Sequence, residues 1–171
     1  MDEGLRGLAP SEMSLLLKFV RVLALGGWLG AIVYFAAVVT AGGFAVLASP
    51  DEAGVLVGFT LGGLHRMGLV LAALFVIASV AAAKSLKAWI DPATLGVIVM
   101  ALLTMASQYQ VMPRMAALRS QMVSVAKTPL NDPRRTEFDR LHSLTVDLEG
   151  AVLVIGLIAL FLRVRQDQSP A

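Results

Sequence analysis

Two histidines and two deeply placed carboxylates are the groups in this 171-residue chain whose chemistry asks for an explanation. Asp147 and Glu149 sit inside the stretch Phe138–Leu162, FDRLHSLTVDLEGAVLVIGLIALFL. Its plain apolar part, Gly150–Leu162, is too short to cross a bilayer, which takes about 20 residues. Arg163 and Arg165 close the far end, so counting back from them draws Asp147, Glu149 and nearly His142 into the crossing. Ionisable groups at that depth cost about 2.5–3.5 kcal/mol each and need a partner or a wet cavity. On a helical wheel His142, Thr145, Glu149, Leu153 and Gly156 share one face, whereas Asp147 lies well round towards Ser143 and Arg140. Two acids on different faces cannot work as one carboxylate pair, which argues against acid–base hydrolysis. Two readings stand. One is a buried polar site for an ion, a proton or a ligand. The other is interhelical hydrogen bonding, with Glu149 or Asp147 paired to Arg66, Arg114 or a glutamine of the third helix, Gln108 or Gln110.

His65 and His142 both fall near one plane of the membrane, and facing imidazoles there would hold a haem or a metal ion. The bland alternative is a histidine at a helix end bonded to backbone or headgroup. Met100, Met105, Met112, Met115 and Met122 read as flexible packing rather than soft copper ligands, since few fall at one-face spacing. Gly54, Gly58 and Gly62 recur every four residues with His65 continuing their face, and Gly26 and Gly30 repeat the spacing in the first helix. Such faces admit close helix packing, within the chain or at a homodimer seam. They lack the Lys-Ser/Thr ending and the adjacent strand of a phosphate loop. No cysteine is present, so disulfides, thiolate ligands and thiol catalysis are excluded.

These residues need long helices to position them. The chain is 57% hydrophobic and 15% charged, with a formal net charge of +2, which fits a membrane protein and gives no nucleic-acid groove. Ser49-Pro50-Asp51-Glu52, Asp91-Pro92 and Asp132-Pro133 are cap-then-proline starts, with a weaker one at Pro10-Ser11-Glu12. They predict helices over about 11–48, 50–89, 92–128 and 133–165, antiparallel because the joints are so short. Lys18, Arg21, Lys84, Lys87, Arg163 and Arg165 mark one membrane plane, with Trp89 beside them; Arg66, Arg114 and Arg140 mark the other. The spans then run roughly 22–42, 67–84, 92–113 and 143–162. The expected architecture is all-α: a single domain over 1–171, a four-helix antiparallel transmembrane bundle whose helices extend beyond the bilayer on one side. That overhang comprises the apolar hairpin 43–65 and the charged stretch 114–141. Met115, Leu118, Met122 and Val125, at helical spacing, are expected to cover the hairpin. Seven Lys and Arg fall on each side of the membrane. Those on the side of the termini cluster more tightly at span ends, which favours cytoplasmic termini.

Trp28-Leu29-Gly30 with Phe35, then Phe44 and Ala53-Gly54, resembles the opening of the transmembrane-protein-205-like family, a bacterial domain of unknown function. Gln108, Tyr109 and Pro113 look like that family's third-helix ending. Phe138 with Leu141-His142, then Thr145 and Gly156-Leu157, is similar to its most specific motif. The resemblance covers roughly residues 25–162. It departs at Ala41, where the family often has Pro, and at Thr145, Asp147 and Glu149, where it often has Ser, an apolar residue and Asn. It implies a small four-helix membrane protein of the bacterial inner membrane with no settled activity. The leading expectation is therefore a non-enzymatic membrane protein without a cofactor, acting by assembly with itself or a membrane-protein partner within the lipid bilayer. A more distant similarity to copper-resistance-D-like membrane proteins supports a second reading, haem or metal binding for redox chemistry or metal tolerance. A third is a small proton-linked transporter using Glu149 or Asp147.

Overall fold

The computed structural model describes residues 10–83 and 89–168, and every long element among them is helical. Four rods follow one another. The first runs Pro10–Tyr34, widens to a π-helix over Phe35–Thr40 and ends with Ala41–Val46. The second is Pro50–Ala83. The third is Pro92–Ala106, a π-helical Ser107–Val111, then Met112–Ser120; the fourth is Pro133–Gln168. Lys84 and Lys87, expected at one membrane plane, lie outside the described residues. The starts follow the capping chemistry. Ser49 Oγ accepts the Glu52 N–H at 3.2 Å, and Asp91 accepts that of Thr94 at 3.1 Å. Asp132 accepts that of Arg134 at 2.8 Å.

The rods form an up-and-down bundle in which sequence neighbours pack together and the fourth closes against the first. Each presents a seam spaced by threes and fours, the coiled-coil pattern. Arg21, Leu25, Trp28 and Ile32 are buried on the first rod, and Leu61, Gly68, Ala72 and Phe75 on the second. The third buries Ala93, Val97, Met100, Thr104, Ser107 and Val111. The fourth buries Phe138, Leu141, Thr145, Val152, Gly156 and Ala159. Glycine is needed where two seams approach most closely. A Cβ on Gly68 would lie 2.4 Å from Trp28, and one on Gly156 would lie 2.5 Å from Leu29 and 2.8 Å from Met100.

Every rod is long and apolar enough to cross a membrane, the shortest having 29 residues. That is ~43 Å of helix against a hydrocarbon core of ~30 Å. In each rod's most apolar window no more than 28% is buried inside the bundle. The remaining apolar surface has no protein cover and requires lipid.

Two expectations change. The third rod stops at Ser120 instead of running to 128, and the chain returns through turns to Asp132. Met115, Leu118, Met122 and Val125 consequently do not form one helical stripe over the 43–65 hairpin; they gather around Phe138 of the fourth rod in a small core of their own. The Asp51 carboxylate fixes this cap by accepting from the Ser124 hydroxyl and from the Val125 N–H at 3.0 Å. Arg119 lies over the Phe138 ring, 5.5 Å from its centroid. The hairpin keeps Phe44, Val46, Val55 and Phe59 exposed, the last at 78%. Its composition suits lipid or the membrane interface.

Candidate buried proton site

His65 stands on the second rod's buried face, three residues after Gly62, and is 1% exposed. Its ring joins three rods. Nδ1 lies 2.9 Å from Oε1 of Gln108 on the third rod, and Nε2 lies 2.6 Å from Oε1 of Glu149 on the fourth. The second and fourth rods are diagonal partners in the bundle, so the imidazole spans its centre.

Local backbone geometry sets this up. Pro113 has no N–H to give to the carbonyl four residues before it. Just ahead of it the helix widens, and the Met112 N–H reaches back five residues to the Ser107 carbonyl. Such π-bulges re-aim side chains inside an otherwise regular helix. Here Gln108 is turned towards His65, and Ser107 is left fully buried. The Ser107 hydroxyl finds no hydrogen-bond partner among the described residues. Gly62 borders this site, and a side chain there would sit at ordinary contact distances. The position of a Cβ there is 3.7 Å from Met112 Cε and 3.9 Å from both Gln108 Oε1 and Arg66 Nη1.

The hydrogen-bond types fix the proton count. An amide oxygen only accepts, so the Nδ1–H of His65 donates to Gln108. The Nε2–Glu149 contact then holds one proton. Either a neutral carboxyl donates O–H to Nε2, or an imidazolium donates Nε2–H to a carboxylate. Both arrangements are neutral overall.

Of the residues singled out in the sequence, His65, Gln108 and Glu149 come together. Thr145 is buried one turn from Glu149, but its hydroxyl donates to the Leu141 carbonyl at 3.0 Å, with Met115 sulfur 3.6 Å away. His142, Asp147, Gln110, Arg66 and Arg114 are exposed. His142 lies outside the bundle while His65 is sealed within it, so the two imidazoles do not face each other. The cause is the course of the seam. It passes through Leu141 and Val152, one residue from the His142–Leu153 wheel face. Among the described residues no three His, Asp or Glu side chains gather as a metal-binding group. For His65 to ligate a metal it would have to release Gln108 or Glu149. At Gly26, Gly30 and Gly58 a Cβ would meet nothing within 4 Å, and at Gly54 it would meet the Arg119 guanidinium at 2.8 Å. The close approaches fall at Gly68, which the spacing rule missed, and at Gly156. Ser107 was also missed, although the 4-3 spacing Ala93–Val97–Met100–Thr104 leads directly to it.

Fold and site define a class: a multi-pass membrane helix bundle keyed by a buried polar contact. A family model described as a domain of unknown function, DUF4149, matches residues 23–124, and the chain belongs to that family. No curated protein and no solved structure matches it.

Proposed function

We propose that this is a proton-responsive, non-enzymatic membrane protein in which the state of the His65–Glu149 pair governs how the second, third and fourth rods hold together. That packing is offered to a second copy or to a membrane-protein partner. The carrying observation is the 2.6 Å contact between a 1%-exposed imidazole and a carboxylate within membrane-crossing helices. Histidine changes charge between about pH 5 and 8, and an ionisable residue inside the membrane is by default a functional-site candidate. The assembly side of the reading draws on Gly26, Gly30 and Gly58, whose small faces have open space beside them. The ordered motifs from Trp28 to Gly156 support a closer kinship with transmembrane-protein-205-like proteins. The basic clusters at the span ends support a bacterial inner-membrane location with cytoplasmic termini.

Infrared difference spectra of the purified protein between about pH 5 and 8 test the proton site. A carboxyl or imidazole band lost in both Glu149→Gln and His65→Asn, with a pH-dependent change in inter-rod crosslinking lost alongside it, is the expected result. Wild-type spectra and crosslinking that do not vary with pH would reduce the pair to a structural bond.

A further inference from the structure

We infer that the groove between the first and second rods is a binding site for one anionic phospholipid, with its phosphate on Arg66 and an acyl chain between the rods. This inference is independent of the proton reading. The groove has a volume of about 390 Å³ and lies where the first rod turns π-helical; Tyr34, Phe35 and Val39 form one wall, Phe59, Gly63 and Arg66 the other. Its floor is open, because a Cβ on Gly63 would meet no atom within 4 Å.

Arg66 gives the occupant its charge. It is exposed on a face whose exposed neighbours are apolar, Val55 and Phe59 on one side and Met67, Val70 and Leu74 on the other. Ion pairs among the described residues include His65–Glu149, Arg134–Asp132, Arg135–Asp139 and Arg140–Glu137, none of which neutralises Arg66. Its side chain leans back one turn so that Nη1 lies over Gly62. This carries the guanidinium towards the membrane plane marked by Arg114 and Arg140. A planar cation at that level beside a chain-width apolar groove matches a phosphodiester with its hydrocarbon tail. Net negative charge on the lipid is favoured because no ion pair among the described residues offsets the arginine.

Binding is measured on the full chain in detergent by native mass spectrometry, adding phosphatidylglycerol or phosphatidylcholine of the same acyl chains. One phosphatidylglycerol should bind per chain, about fivefold more tightly than phosphatidylcholine, the factor expected for one arginine near a membrane surface. Arg66→Gln should abolish the preference while leaving the melting temperature unchanged in lipid-free detergent. Gly63→Leu, whose Cβ enters open space and whose side chain occupies the groove, should weaken both lipids. An unchanged preference in Arg66→Gln would overturn the assignment. So would undiminished binding in Gly63→Leu, or light scattering showing a dimer that Gly63→Leu dissociates, since a second copy would then occupy the groove.

Discussion

A proton shared by an imidazole and a carboxylate is both a hydrogen bond and a titratable group, and substitutions at Glu149 separate the two. Glu149→Gln keeps a donor for Nε2 and should lose less than about 1 kcal/mol, whereas Glu149→Ala strands a buried ring nitrogen and should cost about 1–3 kcal/mol. Thermal unfolding in one detergent at fixed pH measures both, and no loss in Glu149→Ala would mean that the contact adds nothing to stability. The glycines divide in the same way. Gly68→Ala drives a methyl into Trp28, with an overpacking cost of about 1–3 kcal/mol. Gly26→Ala meets nothing and should be neutral or stabilising by up to about 1 kcal/mol, through helix propensity alone. The same melting experiment ranks them, and a destabilising Gly26→Ala would reveal a partner on that face.

At the level of elements, the helix starts and the four-rod arrangement were legible because cap, proline and apolar run are local signals. The seam was less so. His142 stands one heptad before Glu149 and two before Gly156, nearly in line with them at about 3.5 or 3.6 residues per turn, yet burial at that end of the rod follows Leu141 and leaves His142 exposed. Glu149 was found as an anomaly, but its partner was not. The link to His65 crosses the bundle diagonally and depends on a π-bulge that no sequence spacing announces. The third rod's end at Ser120 was also hidden, because the stripe Met115–Val125 reads as helix until tertiary contacts with Phe138 and Asp51 are known. The fourth rod's start is a clearer case. The Arg134 guanidinium, 2.6 Å from the Asp132 carboxylate, holds that group at about 2, below its ordinary 3.8. A depressed carboxyl stabilises the folded state above its unfolded value and loses that contribution as pH falls through the folded one. The first turn of the fourth rod should therefore stay protected above about pH 4 and fray between about pH 4 and 2. Amide exchange at Arg134 reports this, and in Asp132→Asn the turn should be frayed already at neutral pH. Protection at Arg134, corrected for the intrinsic pH dependence of exchange, that does not fall between about pH 4 and 2 would remove the capping role.

For the whole molecule, four crossings place the two ends of the bundle on one side and the turn segment between the third and fourth rods on the other. The chain has no cysteine of its own, so single cysteines report position without background. Lys127→Cys, in the exposed cap, and Gln166→Cys, near the end of the fourth rod, should label from opposite sides of an intact cell with a membrane-impermeant maleimide. With cytoplasmic ends, Lys127→Cys reacts first and Gln166→Cys only after lysis; the reverse order inverts the orientation but keeps the fold. Both reacting from the same side would require an even number of crossings between them, here none, and would remove the fourth rod from the membrane. Glu149→Cys fixes the depth. It lies fourteen residues before Arg163, ~21 Å along the helix, inside a core of ~30 Å. It should stay unlabelled from either side while Lys127→Cys reacts fully. Free labelling at 149 would place the His65–Glu149 contact in water, where its shared proton would exchange with solvent and could not control the packing of three helices.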